Sequence, residues 1–131
     1  MVPHVGRVPL PHDVASRGVY LFSEGDDHLY VGRTNRLRSR RKEHLSGRSN
    51  DAPFAFKLAR IETGHLNAKA GLTRSELEKN EIFALAFTAA KDRVAAMDFR
   101  WVEEADADRQ CLLEIYTAIA LGARFNDFEN H

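Results

Sequence analysis

Four residues near the start of the chain are of types that can act on a phosphodiester. Tyr20 ends the segment Gly18-Val19-Tyr20, and Tyr30 begins the segment Tyr30-Val31-Gly32. Arg40 and His44 follow, one helical turn apart. A guanidinium can hold phosphate oxygens, and phenol or imidazole groups can move a proton. In one compact unit, these side chains predict chemistry at a phosphodiester bond.

Glu114 is a further candidate because of where it lies. It sits in the segment 111–116, the most apolar part of the last predicted helix, and no Lys or Arg lies one turn away. A carboxylate in apolar surroundings is costly unless it is paired or binds a cation. Two interpretations are open. Glu114 either pairs with an arginine from another element or binds a hard divalent ion such as Mg²⁺, which often takes only one or two protein carboxylates.

A basic segment surrounds Arg40, although the 19 Lys and Arg residues of the chain balance 19 Asp and Glu residues. Between positions 33 and 48 a single acid, Glu43, faces the basic residues Arg33, Arg36, Arg38, Arg40, Arg41, Lys42 and Arg48. A neutral protein can still present one basic face to a polyanion. The alternative interpretation is a solvated, arginine-rich helix.

The predicted elements place these residues. Alternating apolar residues and turn residues predict strands at 18–23, 28–32 and 95–104. Helical patterns and capping residues predict helices at 35–45, 52–62, 73–93 and from 106 or 108 to 121. Glu24-Gly25-Asp26-Asp27 predicts the turn of an antiparallel hairpin. Leu37 and Leu45 are the expected core anchors of the first helix, so Arg40 and His44 are expected to face the margin of the sheet.

The predicted fold class is α/β, a small three-stranded, mainly antiparallel sheet sandwiched by helices in the order β-β-α-(α-α)-β-α. The 131 residues suit one domain. Residues 1–16, with three of the four prolines, are predicted to form an irregular lead-in to a single domain at 17–131.

Taken in order, the motifs resemble the GIY-YIG nuclease family. The residues that carry the resemblance are Gly18-Val19-Tyr20, Tyr30-Val31-Gly32, Arg40, His44, Glu114 and Asn126. Each motif alone is weak, but the ordered set is specific and spans 18–126. The resemblance implies the same α/β sandwich. The region 49–96 is longer than in minimal members of the family and is expected to be a helical insert.

The resemblance implies that Tyr20, Tyr30, Arg40, His44, Glu114 and Asn126 are the catalytic residues. Glu114 would hold Mg²⁺ or Mn²⁺, and Arg40 would hold a phosphate oxygen. Tyr20 would take the proton of the attacking water, provided that neighbouring cations lower its pKa, and His44 would share that task or orient Tyr20. Tyr30 and Asn126 would position other groups. The expected DNA contacts are Arg33, Arg36, Arg38, Arg41, Lys42 and Gly32, the last because a side chain there would crowd the strand-to-helix turn.

These residues predict a metal-dependent endonuclease that hydrolyses DNA. The alternative is a non-catalytic module for nucleic-acid binding or protein assembly that keeps the nuclease fold. DNA is the expected partner, with a homodimer or a recruiting protein also open. One cysteine and the absence of a ~20-residue apolar stretch predict a cytoplasmic protein without a membrane partner.

Overall fold

The computed structural model describes residues 4–6, 17–48, 51–64 and 74–126. In chain order its elements are β1 (His4–Gly6), β2 (Gly18–Glu24), β3 (Asp27–Thr34), α1 (Leu37–Ser46), α2 (Pro53–Thr63), α3 (Arg74–Lys79), α4 (Glu81–Ala96), β4 (Asp98–Glu103) and α5 (Ala107–Leu121). The α/β class and the antiparallel arrangement of the three predicted strands are confirmed. None of the described helices is long and apolar enough to cross a membrane.

The β2–β3 hairpin forms where the turn was predicted. Glu24 pairs with Asp27, so Gly25 and Asp26 make the connection. Gly25 has a φ of 59°, in the left-handed region that glycine enters without steric cost. The register places Tyr20 opposite Gly32. The two family-like motifs are therefore cross-strand neighbours.

The sheet has the strand order β1-β4-β2-β3, and each neighbouring pair is antiparallel. Strand β1 is an addition to the three predicted strands, and it lies in the segment predicted to be irregular. It pairs with the outer edge of β4, with His4 opposite Trp101. Three residues next to a proline have little strand propensity of their own, so this strand depends on its partner rather than on local sequence.

The chain divides into two compact units. The sheet unit comprises 1–40 and 97–131, and the helical unit comprises 41–96. In the sheet unit, α5 packs on β2 and β3 through a core of Val19, Leu21, Val31, Ala118 and Ala123.

The side of β2 and β4 that carries Tyr20 forms an aromatic core. It consists of Tyr20, Phe22, Phe99 and Trp101, which are all buried, and the ring centroids of Phe22 and Phe99 are 5.1 Å apart. Phe99 and Trp101 are therefore core residues and not exposed platforms for a ligand. Packing against these aromatic rings therefore holds Tyr20 in place independently of its polar contacts.

In the helical unit, α2 packs against α4, with the rings of Phe56 and Phe83 5.1 Å apart. The single helix predicted at 73–93 is wrong, because Asn80 separates α3 from α4. The Asn80 Oδ1 atom accepts a hydrogen bond from the Phe83 amide at 3.0 Å, so Asn80 caps a new helix. Thr73, the first residue of the predicted helix, lies outside the described residues.

Helix α5 has the ends that the sequence predicts. The Asp106 side chain accepts a hydrogen bond from the Arg109 amide at 2.9 Å. Gly122 ends the helix with a φ of 64°. These two caps define the ends of the helix that carries Glu114.

Candidate active site

Tyr20, Tyr30, Arg40 and Glu114 influence one another in the sheet unit although they come from four elements, β2, β3, α1 and α5. Tyr20 is anchored most firmly, because its ring is buried and packs on Phe22 and Phe99 with centroids 5.9 and 5.6 Å away. The fold thus brings together four of the six residues that the family resemblance marks as catalytic.

Gly32 makes room for Tyr20. A Cβ atom added at Gly32 would collide with the ring and the hydroxyl of Tyr20. The sequence suggested that Gly32 keeps a strand-to-helix turn clear for substrate. In the structure Gly32 is buried, and its missing side chain lets the Tyr20 phenol cross over β3.

The Tyr20 hydroxyl is hydrogen bonded to Arg40, and the guanidinium is the donor. Burial raises the pKa of Tyr20 well above its ordinary value, and Tyr30 adds to the rise. Arg40 opposes this through its charge and its hydrogen bond, but burial is the larger effect. Arg40 therefore lowers the pKa of Tyr20, as the sequence suggested it could, but this effect alone does not offset burial.

Tyr30 is half-buried, and it lies in the same electrostatic environment. Burial raises its pKa, Arg40 opposes the rise and Glu114 adds to it. Glu114 also adds to the rise at Tyr20. Both phenols are therefore protonated at neutral pH and lie within electrostatic reach of one cation and one carboxylate.

Glu114 has an arginine partner. Its Oε1 atom lies 3.8 Å from Nε of Arg33, and the two side chains are 23% and 44% exposed. Partial burial raises the pKa of the Glu114 carboxyl, while the charge of Arg33 and a hydrogen bond from its backbone amide oppose the rise. Of the two interpretations of Glu114, the structure shows the ion pair. The metal-ligand interpretation stays a prediction.

The carboxylate of Glu114 is the one proposed to bind a divalent ion at this site. Mg²⁺ commonly keeps several waters and binds one or two carboxylates, so a partly exposed Glu114 fits such an ion. Among the residues that the structure describes, no group of three or more His, Cys, Asp and Glu side chains is placed to hold a metal.

Asn126 binds the backbone of β3. Its Oδ1 atom accepts from the Val31 amide and its Nδ2 atom donates to the Val31 carbonyl, both at 2.7 Å. The Phe125 amide donates to the Leu29 carbonyl at 3.0 Å. Because β3 is the edge of the sheet, these bonds satisfy backbone groups that lack a strand partner. Asn126 thus positions β3, which carries Tyr30 and Arg33.

The predicted DNA contacts occupy different environments. Arg36 is exposed and Arg38 is half-buried, in the sheet unit. Arg41, Lys42 and His44 belong to the helical unit. Lys42 is exposed, whereas Arg41 and His44 are buried, and burial lowers the pKa of the Arg41 guanidinium. Arg41 and His44 therefore have the burial of core residues rather than of surface contacts.

Gln110 supports the site and was not predicted. It is buried on α5, where its Nε2 atom donates to the Glu104 carbonyl at 2.6 Å and to the Asn35 Oδ1 atom at 3.4 Å. These bonds tie α5 to the segment that leads into α1. A polar residue on the inner side of an apolar helix is the feature of the sequence that could have revealed it.

Comparison with known proteins identifies no relative: no family model matches the chain, and no curated protein or solved structure matches it. The function is therefore inferred from the residues of the chain itself.

Proposed function

We propose that this chain is a metal-dependent endonuclease of the GIY-YIG type that hydrolyses phosphodiester bonds in DNA. The observation that carries the proposal is the hydrogen bond between Arg40 and Tyr20 beside Tyr30 and Glu114. These side chains come from separate segments of the sequence. Burying ionisable groups together costs free energy and shifts their pKa values, and such clusters are typical of functional sites.

Arg40 is the proposed phosphate-binding residue. Its planar guanidinium offers several donors, so it can hold a nonbridging oxygen while keeping its bond to Tyr20. We propose that Arg36, which is exposed, and Arg38, which is half-buried, contact flanking phosphates. These contacts carry affinity rather than catalysis.

Tyr20 is the proposed proton-transfer residue. Its oxygen accepts a hydrogen bond from Arg40, which leaves its own proton for a phosphate oxygen or the attacking water. To act as a base Tyr20 must first lose this proton, and its raised pKa makes that loss unfavourable near neutral pH. His44, which the sequence also suggested as a base, is buried and belongs to the helical unit.

Glu114 is the proposed metal ligand, and Mg²⁺ or Mn²⁺ bound there would stabilise negative charge on the phosphate and on the leaving oxygen. Arg33 competes for the same carboxylate, because its guanidinium lies 3.8 Å away. Turning Arg33 towards a phosphate would release Glu114 and give the DNA one more contact.

The second candidate is a nucleic-acid-binding module without turnover. Two observations favour it: burial raises the pKa of Tyr20, and Glu114 already forms an ion pair with Arg33. Such a module would use the same basic residues and would need neither a free carboxylate nor a reactive phenol.

Incubation of supercoiled and branched DNA with the protein and Mg²⁺, Mn²⁺ or a chelator tests the proposal. We expect nicking that requires the metal. Arg40→Lys should be nearly as damaging to turnover as Arg40→Ala, whereas Arg38→Ala should mainly weaken binding. Salt-dependent binding without any nicking would favour the module, and equal effects at positions 38 and 40 would refute the role of Arg40.

A further inference from the structure

Helix α5 exposes large apolar side chains along one side. The fractional exposures are 69% for Leu112, 38% for Ile115, 71% for Tyr116 and 69% for Ile119. The spacing of these positions by three and four residues places them in one stripe, here called the α5 stripe. Apolar residues are often exposed singly, but a contiguous stripe marks a surface that contacts another molecule.

An apolar groove lies beside the α5 stripe. It has a volume of about 350 Å³ and runs between α5 and the strands β2 and β4. Its apolar lining includes Val19, Leu21, Val102, Leu113, Tyr116 and Leu121. Tyr116 belongs both to the stripe and to the groove, so the two features are continuous.

We propose that a second copy of this chain covers this surface, with the α5 stripe of each copy packed into the groove of the other. A two-fold interface requires one surface that is complementary to itself. A ridge and a groove that share Tyr116 on a single helix satisfy this requirement. Tyr20 also lines the groove, but no stripe residue belongs to the proposed catalytic group, and the inference rests on exposed apolar surface rather than on the proposed nuclease activity.

The charges also suit a second copy. The formal net charge of the chain is zero, so two copies do not repel each other. In an antiparallel pair of α5 helices, the exposed Asp108 near one helix start would lie towards the exposed Arg124 that follows the other helix end. Arg124 also pairs with Asp27 of its own chain at 3.0 Å, so the contact would extend this surface ion pair to a second carboxylate. The helix dipoles would also oppose each other, which is favourable.

Nucleic acid is a poor occupant for this surface. Binding to DNA depends on Lys and Arg at the phosphates, and the four residues of the α5 stripe carry no charge. The basic residues predicted to bind DNA lie instead on β3, in the segment before α1 and within α1. A dimer through α5 would leave Arg36 and Arg38 available.

Sedimentation equilibrium of the full chain over a range of concentrations tests the proposal. We expect a dimer of twice 14.8 kDa. Leu112→Glu or Ile119→Glu should raise the dimer dissociation constant by about 100-fold or more, because each would bury an unpaired carboxylate at the interface. Their melting temperatures, extrapolated to concentrations at which every variant is monomeric, should match wild type, since both residues are exposed in one copy.

Ile82→Glu is the matched control. Ile82 is 74% exposed on α4 in the helical unit, so the variant has the same chemistry outside the α5 surface, and it should leave the dimer unchanged. A monomer at every concentration would refute the second copy as the occupant. A dimer that survives both α5 variants, or that Ile82→Glu disrupts equally, would refute the α5 surface as the interface.

Discussion

The Arg33 Nε atom lies 3.8 Å from Oε1 of Glu114, joining the edge strand β3 to helix α5. This pair links two predictions that the sequence treated separately, a DNA contact at Arg33 and a metal ligand at Glu114. The side chains are only partly buried, so the pair contributes less than about 1 kcal/mol to stability. Its larger effect is on the protonation and the availability of the carboxylate.

Arg33→Ala should raise the pKa of the Glu114 carboxyl further. Burial already raises this pKa, and the charge of Arg33 is the principal opposing effect, so its removal leaves the burial effect less opposed. The measurement is an NMR titration of the Glu114 side-chain carboxyl carbon. Arg36→Ala removes the same charge from a residue that does not contribute to this shift, and the Glu114 titration should not move. A fall in the pKa in Arg33→Ala would contradict the ion pair.

Glu114→Gln should abolish metal-dependent cleavage without lowering stability at neutral pH. A carboxyl whose pKa is raised by folding stabilises the fold while it is protonated, and this contribution is lost as the pH rises through the folded pKa. Glutamine mimics the protonated form. The variant should therefore be slightly more stable than wild type at pH 7, and the difference should vanish below the ordinary pKa of Glu, about 4.3.

Urea unfolding at several pH values, alongside DNA nicking, checks this prediction. Glu103→Gln is the control, since Glu103 is an exposed carboxylate on β4 outside the site, and its cleavage should match wild type. A Glu114→Gln protein that is clearly less stable at pH 7 but fully active would identify Glu114 as a structural ion-pair partner only.

Asn126→Ala should destabilise the protein by about 1–3 kcal/mol, because it leaves both backbone groups of Val31 without their side-chain partner. Asn126→Asp has the same shape and can still accept from the Val31 amide, but it cannot donate to the carbonyl. Amide hydrogen exchange should therefore be faster at Val31 in Asn126→Ala than in Asn126→Asp. Equal exchange in the two variants would show that the Oδ1 bond does not protect this amide.

Gly32→Ala should destabilise the protein by about 1–3 kcal/mol through overpacking, since the added methyl group collides with the Tyr20 ring and hydroxyl. The penalty should largely disappear when Tyr20 is also replaced by Ala. A double-mutant cycle by chemical denaturation measures this coupling. Additive changes in the free energy of unfolding would mean that the added methyl group collides with a residue other than Tyr20.

The sequence predicts what is determined locally. Asp106, Gly122 and Gly25 act within a few residues of themselves, and the ends of α5 and the hairpin turn were predicted correctly. Strand β1 is not predicted because it depends on pairing with β4. The break at Asn80 is not predicted because the residues on both sides of it have a helical pattern, and only the cap at Asn80 ends one helix and starts the next.

The chemistry of the site could be predicted only in part. The residue types at Tyr20, Arg40 and Glu114 suggest phosphodiester chemistry, but their protonation depends on burial, which arises from the whole fold. The sequence predicts that an arginine from another element could pair with Glu114. It does not identify Arg33, because that choice depends on how α5 lies against β3.

Tyr20→Phe tests the proton-transfer role directly. It removes one oxygen and keeps the buried ring, so DNA affinity should change little, and losing the Arg40 hydrogen bond should cost about 1 kcal/mol. Single-turnover cleavage should fall by on the order of 10²-fold or more. Because burial raises the pKa of Tyr20, the wild-type rate should still be rising with pH above neutrality, and the variant should lack this rise. Unchanged rate and pH dependence would refute this role.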